Sequence, residues 1–224
     1  MTDEKIVLPE AAGHVYDIVK SQAQDVKMDS SPSYPYCVLC KKNEEVFADH
    51  FDRVVEVAAY RVHKLLTATP AERRAWANDP LCALEACIRD PIRGFVKCEP
   101  HPKVKVDEKR FRIICGVSVV DQLVDRVLMG TFPAATKREW PTSPAMLGLG
   151  TSDALNQEVG EQYEKLTRRY GLPRKSDIKG FDRGVSIGGL YGAAAVHARC
   201  ADDHGLGKSK FTEAMYTWVD LVTN

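Results

Sequence analysis

The chain has 224 residues, of which 44% are hydrophobic and 28% are charged, values ordinary for a globular protein with an ample core. Its 31 Lys and Arg side chains balance its 31 Asp and Glu side chains, so the overall charge indicates no polyanionic partner. The sequence shows no signal peptide and no apolar run long enough for a membrane helix. We interpret its seven cysteines as free thiols in a reducing, intracellular compartment.

The N-terminal part is predicted to be an irregular arm followed by a long helix. Residues 1–36 are polar, and "KMDSSPSYPY" is typical of irregular chain. From Asn43 to about Thr67, apolar residues recur three and four positions apart, which predicts an amphipathic helix.

The next helix carries a start signal of its own. Thr69 stands at the N-cap, Pro70 at the first helical position and Glu72 at the third, which together predict a capping box. Asp79-Pro80 ends this helix, and a short helix over "LCALEACIRD" is expected to reach Pro91.

Residues 91–112 are locally basic, with seven Lys and Arg against three acids. We predict two extended segments, about 93–98 and 109–115, joined by a loop. On an extended backbone Arg110 and Arg112 share one face, and Phe111 and Ile113 point to the other, toward a core. The surrounding cations are Lys97, Lys103, Lys105 and Lys109.

Such a row of cations suits phosphate groups, because Arg binds a phosphate through two hydrogen bonds and Lys adds a point charge. The alternative is a solvated strand face whose cations pair with Glu99, Asp107 and Glu108.

The second half is predicted to be mainly helical. Ser118 and Asp121 start a helix that Gly130 closes and that buries a Val/Leu face, and residues 131–150 form a Pro/Gly-rich loop. A helix capped by Thr151 or Ser152 is predicted to run to about Tyr170, with Gly171 as the residue that follows its end. A short strand, "RKSDI", and two helices at about 188–200 and 208–222 complete the chain.

Two acids lie five residues apart in "SDIKGFD", the first at the end of that short strand and the second after it. Asp177 and Asp182 can serve one site only if the backbone turns between them, and Gly180 permits such a turn. One carboxylate then suits Mg²⁺, and the other suits a ligand hydroxyl. The alternative is an Asx-type turn in which Asp182 caps the following segment.

Cys37 and Cys40 have the C-x-x-C spacing of half a zinc site. Two further ligands are needed, and His50 and His63 are the nearest histidines. We keep a zinc-stabilised interaction module as an alternative, although two unrelated thiols explain the spacing more simply.

Four phrases in order make the chain resemble the RNA-dependent RNA polymerases of positive-strand RNA viruses, most closely sobemovirus and polerovirus-like replicases. They are "DPIRGFVKCEPHP", "KRFRIICGVSVVDQLVDRVL", "SPAMLGLG" and "SDIKGFD". In that family the basic phrase lines the entry tunnel for nucleoside triphosphates, and the D-x-x-x-x-D phrase is the first palm motif.

The resemblance implies a role for each matching residue. Asp177 matches the palm aspartate that binds the catalytic Mg²⁺ or Mn²⁺ ions, with the Ile178 carbonyl beside it. Asp182 matches the residue that senses the ribose 2′-hydroxyl. Arg112 matches the fingers arginine over the triphosphate and base, and the same channel is lined by Lys97, Lys109 and Arg110.

From the resemblance we expect an α+β fold, mainly helical, that forms part of a right-hand polymerase, with a β-ribbon in the fingers and the first palm strand. The expected divisions are an N-terminal arm and helical region over 1–90, fingers over 91–172 and the start of the palm over 173–224. The family's glycine-serine and Gly-Asp-Asp motifs are missing, so we expect an incomplete and inactive palm.

The expected partners are template and nascent RNA, nucleoside triphosphates and other replicase components, in a replication complex of the host cytoplasm. The alternative is a non-catalytic RNA-binding accessory protein that uses the basic strand for phosphate contacts.

Overall fold

A computed structural model describes residues 12–140, 152–172, 186–203 and 210–223. Two strands, Arg93–Val96 (β1) and Ile113–Gly116 (β2), pair in an antiparallel ribbon. The described helices are Gly13–Gln22 (α1), Asn43–Thr67 (α2), Pro70–Asn78 (α3), Pro80–Glu85 (α4), Lys103–Asp107 (α5), Val119–Met129 (α6), Thr131–Arg138 (α7), Asp153–Tyr170 (α8), Ile187–Asp203 (α9) and Lys210–Thr223 (α10). The architecture is therefore mainly helical with one small sheet, consistent with the predicted α+β class.

Helix α1 lies in the polar N-terminal segment, where no helix was predicted, whereas residues 27–35 are irregular as predicted. Its buried side chains Val15 and Val19 continue a stripe through Ala12 and Ala23, at spacings of three and four residues. This stripe packs against α2 and α6. The side chains are small and the rest of the segment is polar, which hid a helical period that tertiary packing stabilises.

The capped helices were predicted correctly. α2 spans the predicted residues, with a kink at His50, and the predicted capping box of α3 is present. The Thr69 hydroxyl accepts a hydrogen bond from the Glu72 amide at 3.2 Å, and the Glu72 carboxylate accepts one from the Thr69 amide at 2.7 Å. Local signals sufficed here because both partners lie within one turn.

Helix α6 also confirms its prediction. The Ser118 hydroxyl accepts a hydrogen bond from the Asp121 amide, and the helix buries Val119, Val120, Leu123, Val124 and Leu128. The chain does not enter a loop after Gly130, however, because α7 follows at once. Pro133 is tolerated there, since the first turn of a helix needs no donor from that position.

Helix α10 closes the core from the C-terminal side. Met215 and Trp218 are buried against α2, α3 and α6, and the Trp218 indole donates a hydrogen bond to Asp125 in α6 at 3.2 Å. We call α1–α4, α6 and α10 the helical body. The predicted division at residues 90 and 172 stays a prediction, although helices from both ends of the chain share this core.

Helices α8 and α9 match their predicted positions closely, whereas α4 ends at Glu85, before the predicted end at Pro91, and α5 lies where a loop was predicted. α8 ends at Tyr170, and Gly171 follows it as predicted, with a positive φ of 82° that favours glycine. None of the described side chains of α8 is buried. The predicted strand "RKSDI" and the phrase "SPAMLGLG" lie outside the described residues.

Among the described helices, none has the length and apolar character needed to cross a bilayer.

Candidate functional site

The basic ribbon, residues 93–116, joins β1 to β2 through α5. Its register pairs Arg93 with Gly116 and Val96 with Ile113. The Lys97 amide donates to the Arg112 carbonyl at 2.8 Å, which extends the ladder by one pair. Lys97 and Arg112 therefore stand opposite each other where the two strands open into the connection.

Arg110 and Arg112 both precede β2, contrary to the prediction that they share one face of an extended strand. Lys109 has a φ of 53°, and the Arg110 amide donates to the Lys105 carbonyl at 2.8 Å. These contacts close α5, so the second strand begins only at Ile113. A local helix turn replaced the first half of the predicted extended segment.

The ribbon has no face anchored in a core, which is a second correction. Phe111, predicted to point inward, is 40% exposed, and Ile113 is 70% exposed. The described ring near Phe111 belongs to His101 in the same connection, edge-on, with centroids 5.5 Å apart. The alternation of side chains in a four-residue strand predicts that the ribbon has two faces. Whether either face is buried depends on another element packing against it, which the local sequence does not specify.

Two of the predicted cations converge on one carboxylate. Lys97 Nζ lies 2.6 Å from Glu99 Oε2, and Arg112 Nη1 lies 3.2 Å from Glu99 Oε1. The hydrogen bond from Lys97 and the charges of Lys97 and Arg112 lower the pKa of Glu99 below its ordinary value. The ribbon thus presents two positive groups on either side of a single anionic position.

The other predicted cations are placed differently. Arg110 makes a short ion pair with Glu108, its neighbour in the same turn. Lys109 and the α5 residues Lys103 and Lys105 have exposed side chains. The contacts of Glu99 and Glu108 are those of the alternative interpretation, in which acids of the segment neutralise its cations. Both interpretations agree with the same geometry, because a carboxylate and a phosphate oxygen occupy similar positions beside a cation.

Asp177, Ile178 and Asp182 lie outside the described residues, so their predicted roles stay predictions. Cys37 is partly buried and Cys40 is buried. Within the described ranges, no three His, Cys, Asp or Glu side chains lie close enough together to hold a metal ion.

A buried charge cluster lies at the base of the ribbon, and the sequence analysis missed it. Arg61 of α2 donates from Nη1 to Asp121 Oδ1 at 2.5 Å and holds Asp90 with two hydrogen bonds, of 2.9 and 2.8 Å. Its Nε donates to the Cys87 carbonyl at 2.9 Å. We call Arg61, Asp90 and Asp121 the Arg61 cluster. Burial by itself lowers the pKa of Arg61, but the charges and hydrogen bonds of Asp121 and Asp90 outweigh it and raise that pKa above its ordinary value.

A sequence signal for this cluster did exist. Arg61 stands on the apolar stripe of α2, between the buried Val54 and Ala58 on one side and Leu65 on the other. Asp121 stands on the apolar face of α6. Opposite charges on two otherwise apolar faces indicate a buried pair, because an unpaired charge there is very unfavourable.

The family model described as viral RNA-directed RNA-polymerase matches residues 6–155, which include the whole helical body except α10 and the whole basic ribbon. The chain belongs to the viral RNA-directed RNA polymerase family. The resemblance inferred from the four phrases is confirmed. The match ends before Asp177, so it includes the basic ribbon and not the predicted palm aspartates.

Curated relatives of this polymerase family support the same membership. The replicase polyprotein P2AB of Cocksfoot mottle virus is 33% identical over 163 residues, which cover 72% of this chain and 17% of that polyprotein. The RNA-directed RNA polymerase of Mushroom bacilliform virus is 28% identical over 191 residues, covering 85% of this chain and 44% of that protein. Protein P1-P2 of Potato leafroll virus is 30% identical over 191 residues, covering 78% of this chain and 17% of that protein.

The chain therefore spans less than half of the length of these polymerase-family relatives. No solved structure matches it.

Proposed function

We propose that this chain supplies the fingers and the first palm segment of an RNA-directed RNA polymerase. The complete enzyme would transfer nucleotides from nucleoside triphosphates to the 3′ end of a nascent RNA, directed by an RNA template. The observation that carries this proposal is the family match over residues 6–155, because it contains the basic ribbon with its paired cations. The site of action would be a replication complex in the host cytoplasm, with other replicase components.

The ribbon would bind the triphosphate of the incoming nucleotide. Lys97 and Arg112 flank one anionic position that Glu99 occupies at 2.6 and 3.2 Å. A phosphate oxygen that replaced the Glu99 carboxylate would take over both charge-assisted contacts. Arg110 and Lys109, next along the connection, would add positive charge along the same channel.

The two palm acids would complete the nucleotide site. Asp177 and the Ile178 carbonyl are oxygen donors, the ligand type that Mg²⁺ and Mn²⁺ take, and Asp182 would accept a hydrogen bond from the ribose 2′-hydroxyl. When bound, the divalent ions would activate the 3′-hydroxyl and stabilise the leaving pyrophosphate. Asp182 would thus distinguish ribonucleotides from deoxyribonucleotides.

The 224-residue chain on its own should not polymerise. Its sequence contains no Gly-Asp-Asp, the motif whose acid supplies a further metal ligand in the polymerases that this chain resembles. We expect no incorporation of labelled nucleoside triphosphate by the purified chain on a primed RNA template with Mg²⁺ or Mn²⁺. Template-dependent incorporation by this chain would contradict the proposal that its palm is incomplete.

Nucleotide binding by the ribbon is tested with ATP and Mg²⁺ in a fluorescence titration of the chain. Arg112→Ala and Lys97→Ala should each weaken ATP binding about tenfold, because a charge-assisted contact contributes about 1.5 kcal/mol or more. Arg168→Ala is the matched control, since Arg168 makes a comparable exposed ion pair with Glu164 at 3.0 Å on α8. Glu99→Gln should strengthen binding, because it removes the competing carboxylate.

An accessory protein that only binds RNA would give a different pattern. RNA binding would fall steeply with salt, ATP would not compete, and Asp177→Ala would leave the biological role intact. That set of results would overturn the polymerase proposal.

A further inference from the structure

The basic ribbon is joined to the helical body almost entirely through its two ends. Residues 91–117 all belong to the described part of the chain, and none of them is buried. Packing of buried side chains against the helical body orients α6 and α10, but it cannot orient the ribbon. The orientation depends on how the chain leaves α4 and how it returns to α6.

Those two ends meet in the Arg61 cluster. Asp90 immediately precedes the exposed segment 91–117, and Asp121 follows this segment in the first turn of α6. The Asp90 amide donates a hydrogen bond to Asp121 Oδ2 at 3.0 Å, so the two residues that flank the segment 91–117 are joined directly. Arg61 donates to both carboxylates and is 4% exposed, with Asp90 the more accessible of the two acids at 12%.

We propose that Arg61 is a positioning residue that fixes the orientation of the basic ribbon by holding both of its ends on the helical body. The proposal rests on the proposed function, since it concerns how Lys97 and Arg112 are presented to a nucleotide. Arg61 itself lies in α2 and would not contact the ligand. Its planar guanidinium binds Asp90 through two nitrogens and Asp121 through one of them, an arrangement that an ammonium group cannot reproduce.

A second contact supports the return end of the loop. The Ser33 hydroxyl donates to the Gly116 carbonyl at 2.7 Å, and the Val119 amide donates to the Pro32 carbonyl at 2.9 Å. A methyl group added at Gly116 would come within 2.9 Å of the Ser33 hydroxyl oxygen, so this strand end lies directly against the Pro32-Ser33 segment. These contacts hold one end only, whereas Arg61 connects both.

The test compares Arg61→Lys with Arg73→Lys in the purified 224-residue chain. Arg73 also joins two helices of the body, through an ion pair with Glu213 at 2.6 Å, but it has no described contact with the ribbon. Amide hydrogen exchange is measured at Asp90 and Asp121, which flank the ribbon and are called its ends here, and at Val54 and Val55, which are buried in α2. ATP affinity with Mg²⁺ is measured on the same samples.

For Arg61→Lys we expect exchange at the ribbon ends to be faster by about tenfold while the α2 amides stay protected, because the opening is local. The dissociation constant for ATP should rise by about tenfold, since small displacements of positioning groups weaken a site that needs several contacts at once. Arg73→Lys should change neither the exchange at the ribbon ends nor the ATP affinity.

Asp90→Asn provides a second variant with the same expected direction, and it decides the question if Arg61→Lys does not fold. The inference is overturned if exchange at the ribbon ends equals that of the unsubstituted chain, or if it rises only together with exchange throughout α2. It is also overturned if the ends open and ATP affinity is unchanged. Failure of the unsubstituted chain to bind ATP would instead overturn the proposed function, and the exchange data would still decide whether Arg61 positions the ribbon.

Discussion

Two guanidinium–carboxylate contacts of this chain lie in opposite environments. Arg61 is buried between Asp90 and Asp121 inside the helical body, whereas Arg112 meets Glu99 on an exposed ribbon. Because the Arg61 cluster is buried, the loss of one partner would leave a charge uncompensated, which holds its geometry in place. The exposed pair exchanges readily with solvent and ions, which leaves its cation available to a ligand. The same chemistry thus stabilises the structure in one region and, under the proposed function, serves binding in the other.

The largest expected effect is the loss of Arg61. Arg61→Met should lower the free energy of unfolding by about 3–5 kcal/mol, because it leaves two carboxylates buried without a counter-charge. Urea denaturation followed by circular dichroism measures this change. Arg112→Met is the control and should stay within about 0.5 kcal/mol of the parent, as an exposed substitution does. Equal effects of the two substitutions would contradict the contrast between the regions.

Apolar side chains should show the same contrast at a somewhat smaller magnitude. Leu123 is fully buried in α6, and Ile113 is largely exposed on β2. Leu123→Ala should reduce the free energy of unfolding by about 3 kcal/mol through lost transfer energy and a cavity. Ile113→Ala should change it by less than about 0.5 kcal/mol. A large loss for Ile113→Ala would mean that the ribbon is covered in solution.

Helix capping gives a test of intermediate size at the surface of the body. Thr69→Ala removes the observed cap of α3 and should reduce the free energy of unfolding by about 1 kcal/mol. Ser152 occupies the corresponding position of α8 but makes no side-chain cap hydrogen bond. Ser152→Ala should therefore have a negligible effect in the same denaturation experiment. A loss of stability equal to that of Thr69→Ala would contradict the difference in capping between α3 and α8.

The smallest effect concerns pH at the ribbon. The hydrogen bond from Lys97 lowers the pKa of Glu99 below its ordinary value of 4.5. Because the folded-state pKa is depressed, the stabilising contribution of Glu99 is present above the ordinary value and is lost as the pH falls through the folded value. A carbon-13 NMR titration of the Glu99 carboxyl measures this pKa. Lys97→Met should raise it toward 4.5, and an unchanged pKa would show that the contact with Lys97 is absent in solution.

The accuracy of the sequence-based predictions differs between elements for identifiable reasons. α2, α3, α6 and α8 were placed correctly, because their caps and apolar periods are local. α1 was missed because its stripe of Ala and Val is weak until α2 and α6 cover it. The second ribbon strand was placed too early because α5 and the left-handed Lys109 turn the chain before Ile113.

The candidate site divides in the same way. The concentration of cations between residues 97 and 112 and the family phrases were visible in the sequence, and the family match confirms the membership they imply. The convergence of Lys97 and Arg112 on Glu99 was not predicted as a shared contact, because the two cations are fifteen positions apart and meet only when the strands pair. The predicted roles of Asp177, Ile178 and Asp182 remain predictions.

By itself, the sequence determined the family, the strongly periodic helices and the basic character of the segment between residues 91 and 112. These properties depend on residue identity and on neighbours within one helical turn. Only the tertiary structure decided that the ribbon projects without a buried face and that Arg61 holds both of its ends. Arg61 is 29 residues from Asp90 and 60 from Asp121, and a contact across such distances exists only after the helices have packed.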